Sequence, residues 1–238
     1  MKTVLHKAKD RGYADHGWLK ANHSFSFAEY YDPENIHFGA LRVLNDDIIE
    51  AGKGFGTHPH DNMEIITIPL SGEIEHKDSM GNAGVITAGE IQVMSAGTGI
   101  QHSEFNKNQS KILNVLQIWI FPKKKNVNPR YDQISLRSIE KENELFQILS
   151  PNADDQGVWI HQDAWFHLGN LKKEWKGEYK LKGINHGVYL FVIEGEMEIN
   201  NQKLGMRDGL GISEVDGFLL EVLKDSRVLI MEIPMNIN

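Results

Sequence analysis

Short apolar stretches of strand length, separated by turn signals, constrain the fold of this chain more than any other feature of its sequence. The clearest stretches are residues 38–44, 65–70, 91–94, 113–121 and 187–194. Turn signals such as Ser71-Gly72, Ala88-Gly89 and Asp208-Gly209 are so closely spaced that they leave no room for long helices in either half. We therefore expect an all-β protein built from double-sheet barrels or sandwiches, with few short helices.

Two segments of the chain share one plan of apolar strand, Gly-Glu turn and alternating strand. The first begins at Glu64 and turns at Gly72, and the second begins at Val188 and turns at Gly195. An apolar strand that meets the same turn in both halves is typical of a repeated unit. The two halves therefore look like a divergent duplication.

A polar segment that contains two prolines and a run of three lysines separates the two halves. Such a composition is typical of a domain boundary. Its last part, residues 136–145, is compatible with a short helix. We expect a first domain over residues 1–125, a linker over residues 126–145 and a second domain over residues 146–238.

Composition excludes several classes of function. The chain has no cysteine, so disulfides, thiolate ligands, iron–sulfur clusters and a cysteine nucleophile are excluded. Its net charge of −8 opposes attraction to phosphate, and we expect no direct nucleic-acid binding. The longest apolar run, residues 113–121, is too short to span a bilayer. The charged N-terminal sequence lacks the apolar core of a secretory signal, so we expect no membrane association and a cytoplasmic location.

Two pairs of potential metal ligands stand at positions i and i+2. The first pair is His58 and His60, and the second is His102 and Glu104, after a Gly-Thr-Gly turn. Residues two apart on a strand project from the same face, so two facing pairs make a four-ligand cage. Because the chain has 11 histidines, one such pair alone is weak evidence. Three imidazoles and a carboxylate suit a first-row divalent ion and suit Ca²⁺ or Mg²⁺ poorly.

The second half of the chain offers a rival site. His161 and Asp163 have the spacing found in iron sites made of two histidines and one carboxylate, with His167 or His186 as a third ligand. No glycine-turned partner strand accompanies them, so the first cage is the stronger prediction.

Other polar and aromatic residues have structural interpretations. His76 and Asp78 also share a ligand spacing, but their position at a hairpin favours solvated turn residues. Four histidines have no partner at a useful spacing, namely His6, His16, His23 and His37. Four aromatic residues offer either core packing or a wall for a flat substrate, namely Phe25, Phe27, Tyr30 and Tyr31.

These motifs resemble the pirin family of the cupin superfamily, and most closely its bacterial pirin-like quercetin 2,3-dioxygenases. Gly52, five further residues and then His58-Pro-His60 match the first cupin motif, and residues 92–104 match the pirin form of the second. Further similarity lies at Gly17-Trp18 and in residues 23–27, 30–33 and 76–81. The resemblance is strong over most of residues 10–120 and holds only in outline beyond.

The resemblance implies a bicupin, with two tandem antiparallel jelly-roll β-barrels. It implies one metal ion in the N-terminal barrel, held by His58, His60, His102 and Glu104, and a C-terminal barrel without metal ligands. Fe(II) is the first expectation, and Mn, Ni, Cu, Co or Zn are compatible. Glu64 occupies the ordinary cupin glutamate position, but the carboxylate ligand in pirins matches Glu104, so we expect Glu64 not to contact the metal.

The resemblance also implies an enzyme that cleaves a flavonol such as quercetin with O₂ and releases carbon monoxide. The metal would lower the pKa of the flavonol hydroxyl, and Glu104 would act as the catalytic residue that accepts its proton. The family also includes proteins that sense a metal or redox state and regulate a partner protein, and fold and ligands alone do not separate these functions. A structural zinc site is a third alternative, although such sites usually rely on cysteine.

Overall fold

The computed structural model describes residues 1–237, and strands dominate it. In the first half the strands are β1 (Lys2–His6), β2 (Gly12–Asp15), β3 (Leu19–His23), β4 (Leu41–Ile49), β5 (Gly54–His60), β6 (Glu64–Ser71), β7 (Glu73–Asp78), β8 (Ala83–Thr87), β9 (Glu90–Ser95), β10 (Ile100–Asn106), β11 (Leu113–Ile120) and β12 (Arg130–Ser135). In the second half they are β13 (Leu145–Ser150), β14 (Val158–Trp159), β15 (Trp165–Leu171), β16 (Lys176–Lys180), β17 (His186–Ile199), β18 (Gln202–Gly205), β19 (Gly209–Ser213) and β20 (Gly217–Pro234).

The helical content of residues 1–237 is limited to two short 3₁₀ segments, Ala8–Asp10 and Leu136–Ser138. The predicted all-β class is therefore confirmed. The possible helix over residues 136–145 does not extend past the second of these segments. Asn143 has a left-handed backbone with φ of 57°, which a right-handed helix cannot accommodate. Nothing among the described residues is a helix long and apolar enough to cross a membrane.

The first barrel consists of two facing antiparallel sheets. A seven-stranded sheet has the order β12-β9-β6-β11-β4-β3-β2, and a four-stranded sheet has the order β5-β10-β7-β8. The four-stranded sheet carries both predicted ligand pairs, on the adjacent strands β5 and β10. The predicted cage required the two ligand pairs to lie side by side, and the pairing of β5 with β10 brings them together.

The second barrel is formed by a single nine-stranded sheet that bends around its own core. Its order is β1-β19-β17-β20-β15-β13-β14, with β16 also paired to β20 and β18 to β17. The tight turn predicted at Gly195 is wrong, because β17 continues through this residue. Gly195 has φ of 91°, and a Cβ there would lie 2.2 Å from Ser226 Oγ. The register of β17 against β20 shifts around this glycine, so a bulge replaces the turn.

The two barrels share an apolar core, which contains residues of both halves. From the seven-stranded sheet, Ile66 and Ile118 belong to it, and from the second barrel Phe166, Tyr189 and Met231. Strand exchange adds to this connection, because β1 pairs with β19 of the second barrel. Within the predicted linker, β12 pairs with β9 of the first barrel. The domain limits themselves stay a prediction.

The inner face of the seven-stranded sheet carries a row of polar side chains, which we call the central polar row. Its members lie directly opposite one another on successive strands: His23, Asn45, Gln117, Thr67, Gln92 and Gln133. Directly opposite residues of antiparallel strands project to the same face. The outer face of the sheet is apolar and packs on the second barrel. The side chains of the central polar row therefore point into the interior of the first barrel.

Candidate metal centre

The two predicted ligand pairs meet across the β5–β10 strand pair. His102 lies directly opposite His58, and the register then shifts so that Glu104 lies opposite Phe55. This irregularity inserts one extra residue into β5, as in a β-bulge. The ring centres of His58 and His102 are 4.3 Å apart, and His60 lies 4.9 Å from each of them. Three imidazoles therefore converge on one point.

His102 is the central group of this site. Its side chain is buried, and neither ring nitrogen has a hydrogen-bond partner in the protein. Burial, together with the neighbouring His58, His60 and His76, lowers the pKa of His102 to about 2. The ring is therefore neutral, with a free lone pair, which is the state that binds a metal ion.

The other two imidazoles, those of His58 and His60, are also arranged so that they can bind a metal ion. His58 Nδ1 lies 2.8 Å from the carbonyl oxygen of Gly56, which can only accept, so Nδ1 carries the proton and Nε2 is free to bind a metal. His60 packs edge-on against Trp119, with ring centres 4.8 Å apart. Burial, together with the neighbouring His58, lowers the pKa of His60 to about 4.

Glu104 is buried and held by neighbours from the central polar row. Gln117 Nε2 donates to both carboxylate oxygens at 2.8 Å, and Thr67 Oγ1 lies 3.4 Å from Oε1. Burial raises the pKa of Glu104, and the hydrogen bond from Gln117 opposes that rise. The carboxylate is therefore oriented by its surroundings before any ion binds.

The potential ligand atoms form two overlapping triads. One consists of His58, His60 and His102, and the other of His76, His102 and Glu104, with the atoms of each triad within 4.8 Å of one another. The other three predicted ligands thus lie around His102, with Glu104 on its more buried side. Their role as metal ligands stays a prediction, and His76 is an addition to the set.

The expectation that His76 and Asp78 are solvated turn residues is wrong. The side chains of both are fully buried, and His76 Nε2 lies 3.4 Å from Asp78 Oδ2. Asp78 also accepts from the backbone of Met80 and the side chain of Asn82. Both residues lie on β7, which ends at Asp78, so the turn begins only after Asp78 and includes neither side chain. Their i, i+2 spacing on this strand was the available signal.

The donor set fits a transition-metal ion. Three neutral imidazoles and one carboxylate are the ligands that borderline divalent ions prefer, and hard ions such as Ca²⁺ prefer oxygen. The unpartnered nitrogens of His102 are the structural observation that supports this fit, because buried polar atoms are nearly always paired. A bound ion would provide the partner that this buried ring lacks.

A cavity of about 360 Å³ opens onto the imidazoles, within the range of ~300–1,000 Å³ that is typical of small-molecule sites. Aromatic side chains form much of its wall, namely Trp18, Phe27, Phe55 and Trp119. Polar side chains complete it, namely Asn45, Asp47 and Gln117 together with the four predicted metal ligands. Of the four aromatic residues considered from the sequence, only Phe27 lines this cavity. Phe25 belongs to the shared core, and Tyr31 is 74% exposed.

The alternative ligand candidates lie elsewhere. Glu64 is buried at the start of β6, where Ser95 Oγ donates to it at 2.7 Å, and it belongs to neither triad. Asp163 pairs with Lys123 at 2.7 Å, and His186 lies 3.1 Å from Glu232. Within residues 1–237, no metal-capable group contains any member of the rival site in the second half.

Comparison with known proteins supports the same organisation. Residues 4–120 match the Pirin family, and residues 147–233 match the quercetinase C-terminal cupin domain. The chain is 44% identical to quercetin 2,3-dioxygenase of Escherichia coli K12 over 97% of its own length and 98% of that protein. It is 40% identical to a pirin-like protein of Caulobacter vibrioides, over 93% of this chain and 95% of that one.

Solved structures agree with these sequence matches. The structure of YhhW from Escherichia coli superimposes with a TM-score of 0.94 and 43% identity, covering 100% of both chains. The bacterial pirin YhhW in complex with nickel(II) superimposes with a TM-score of 0.93 and 43% identity, covering 98% of this chain and 99% of that one. The predicted fold of two tandem cupin barrels is thereby confirmed.

Proposed function

The chain belongs to the pirin family, and we propose that it is a metal-dependent dioxygenase of the quercetinase type, which cleaves a flavonol such as quercetin with O₂ and releases carbon monoxide. One observation carries the proposal. Three imidazoles and a buried carboxylate meet at a cavity with aromatic walls. Such a cavity suits a flat aromatic ligand that approaches a metal.

We propose that the ion is Fe(II), held by His58, His60, His102 and Glu104. The related bacterial pirin was solved with nickel(II), which supports a divalent transition-metal ion at this site. When bound, the ion supplies a positive charge that lowers the pKa of a coordinated hydroxyl. The cytoplasmic location predicted from the sequence stays a prediction.

The residues of the chain then have separate tasks. The aromatic wall, which includes Trp18 and Phe55, binds the flat rings and excludes water from them. Glu104 accepts the proton of the flavonol hydroxyl at one carboxylate oxygen. Gln117 donates to that carboxylate, which fixes the direction in which its lone pairs point. Together these residues deliver an electron-rich flavonolate to O₂.

The test is a reaction under controlled oxygen. Protein loaded anaerobically with Fe(II) is mixed with quercetin, and O₂ is then added while O₂ consumption, flavonol absorbance and carbon monoxide are recorded. We expect O₂ to be consumed and the flavonol absorbance to fall together, with carbon monoxide released. A His102→Ala variant treated in the same way provides the control and should show neither change.

The same experiment separates the enzyme from a protein that only senses a metal and regulates a partner. Iron-loaded protein that leaves both quercetin and O₂ unchanged would reject the proposed reaction. The open connection between the cavity and the imidazoles favours the enzyme, because a purely structural or sensing ion has no need of a substrate-sized cavity beside it.

A further inference from the structure

The wall of the metal cavity contains one polar side chain that the proposed reaction does not use. Three polar residues other than the metal-binding groups line this cavity: Asn45, Asp47 and Gln117. Gln117 holds Glu104, and Asn45 Oδ1 lies 2.9 Å from His23 Nδ1. Asp47 remains, and its Oδ1 is buried without any hydrogen-bond partner.

The position of Asp47 on β4 explains why it faces the cavity. Successive residues of a strand project to opposite faces, so Asp46 and Asp47 point in opposite directions. Asp46 points towards the second barrel and binds Arg207 at 2.9 Å and Arg11 at 3.3 Å. Both arginines therefore pair with Asp46, and neither pairs with Asp47. Asp47 Oδ1 consequently has no hydrogen-bond partner in the protein.

An unpaired buried carboxyl group destabilises the folded protein, so its retention at this place calls for a physical reason. Asp47 is 3% exposed. Burial raises its pKa well above the usual range, and the neighbouring Asp46 and Glu104 carboxylates raise it further. A neutral carboxyl group both donates and accepts a hydrogen bond. Rotation about χ2 exchanges its two oxygens, because this torsion is broad and two-fold.

We propose that Asp47 is a specificity-determining residue, which hydrogen-bonds a hydroxyl group of the aromatic ligand that does not bind the metal. This inference rests on the proposed function and deepens it, because it names the residue that would recognise a hydroxyl group of the substrate away from the metal. A site with a buried polar group discriminates strongly against an analogue that lacks the matching hydroxyl, since binding that analogue leaves the group unpaired.

Binding to nickel-loaded protein under nitrogen tests the inference without turnover. Quercetin and 3-hydroxyflavone share the 3-hydroxy-4-keto edge that would reach the metal, and only quercetin carries further hydroxyl groups. Quenching of tryptophan fluorescence reports binding, because Trp18 and Trp119 line the cavity. We expect the wild-type protein to bind quercetin at least ~10-fold more tightly than 3-hydroxyflavone, as expected for a hydrogen-bonding site.

Substitution of Asp47 should remove this preference. In Asp47→Leu, which has similar volume and no polar atom, the ratio of the two dissociation constants should fall to within ~2-fold, mainly through weaker quercetin binding. Asp47→Asn should keep part of the preference because its amide still forms hydrogen bonds. Asp163→Asn, a carboxylate outside the cavity that pairs with Lys123, is the matched control and should behave as the wild type.

Several results would overturn the inference. One is a wild-type protein without preference, and another is an unchanged ratio in Asp47→Leu. A folded Asp47→Leu protein that has lost its nickel would also overturn it, since Asp47 would then support the metal site. If Asp47→Leu does not fold, a structure of nickel-loaded wild-type protein with quercetin decides: a ligand oxygen within hydrogen-bond distance of Asp47 supports the inference, and no such contact rejects it.

Oxygen uptake by iron-loaded samples of the same proteins keeps the two proposals distinguishable. Selective quercetin binding that depends on Asp47, without oxygen uptake, would reject the dioxygenase and retain the role of Asp47. Oxygen uptake with an unchanged binding ratio in Asp47→Leu would reject the role of Asp47 and retain the dioxygenase.

Discussion

The side-chain amide of Gln117 donates to both carboxylate oxygens of Glu104, at 2.8 Å each. Gln117 lies on β11 of the seven-stranded sheet, and Glu104 lies on β10 of the facing four-stranded sheet. This contact therefore spans the interior of the first barrel. It connects the central polar row to the metal centre and orients the one carboxylate of the predicted cage.

Removal of this contact should weaken metal binding. In Gln117→Leu the carboxylate of Glu104 loses its donor, and we expect the affinity for Ni²⁺ to fall ~10–100-fold, as for other residues that orient metal ligands. Competition with a chromophoric chelator measures this change. The same substitution at Gln101, which is exposed on β10, is the control, and equal affinities of the two variants would contradict the orienting role.

His76 should contribute to the metal centre although it was not predicted from the sequence. Its potential ligand atom lies within 4.8 Å of those of His102 and Glu104, and its ring centre is 5.4 Å from that of His102. We expect His76→Ala to lower the Co²⁺ affinity ~10-fold or more and to change the visible spectrum of bound Co²⁺. His16→Ala, which removes an exposed ring, should leave both unchanged. An unaltered cobalt spectrum in His76→Ala would assign the residue a packing role only.

Glu104→Gln should separate catalysis from metal binding. The amide keeps an oxygen that can approach the ion but cannot accept the flavonol proton, so we expect turnover to fall by ~10²-fold or more. Metal content should fall less than turnover. His58→Ala removes one of the three imidazoles and should reduce both together. Oxygen uptake by Glu104→Gln at the wild-type rate would disprove the role of Glu104 as the base.

Removal of the metal should destabilise the protein. Because the ion binds only the folded cage, Ni²⁺ at ~100 times its dissociation constant should add about 3 kcal/mol to the free energy of unfolding. Thermal unfolding with and without a chelator measures this difference. His102→Ala should not respond to the chelator, and Ca²⁺ in place of Ni²⁺ should not stabilise the wild type. Equal stabilisation by both ions would argue against the imidazole cage.

Glu64 should make stability depend on pH. Burial raises the pKa of Glu64 from its ordinary value of 4.5 to about 7, against the opposing hydrogen bond from Ser95. Between these values the folded state retains a proton that the unfolded state has released. Its contribution to stability therefore falls as pH rises through this window, by on the order of 3 kcal/mol in total.

Denaturant unfolding across this pH window, with the metal state held constant, measures the contribution of Glu64. We expect the Glu64→Gln variant to gain stability relative to the wild type as pH rises, because it has no proton to lose. Glu34→Gln, which removes an exposed carboxylate, is the control. A constant difference between Glu64→Gln and the wild type from pH 4.5 to 8 would show that Glu64 has the same pKa in both states.

Local patterns predicted part of the geometry of the candidate metal centre. The i, i+2 spacing of His58 with His60, and of His102 with Glu104, predicts that each pair lies on one face of a strand. The structure confirms that these strands are neighbours. The interpretation of His76 failed because it placed this residue in the turn, whereas β7 continues through Asp78 and its side chain lies inside the barrel.

The amino-acid sequence by itself determined the all-β class, the absence of thiolate ligands and the pairing of potential ligands, because these properties depend on composition and on spacing within single strands. Only the tertiary structure decided that His102 lies opposite His58, that His76 joins the site and that Asp47 faces the cavity unpaired. It also decided that β1 pairs with β19 of the second barrel and that β12, within the predicted linker, pairs with β9 of the first barrel. Such features depend on register between strands that are distant in the chain, and a shift of one residue sends every side chain to the opposite face.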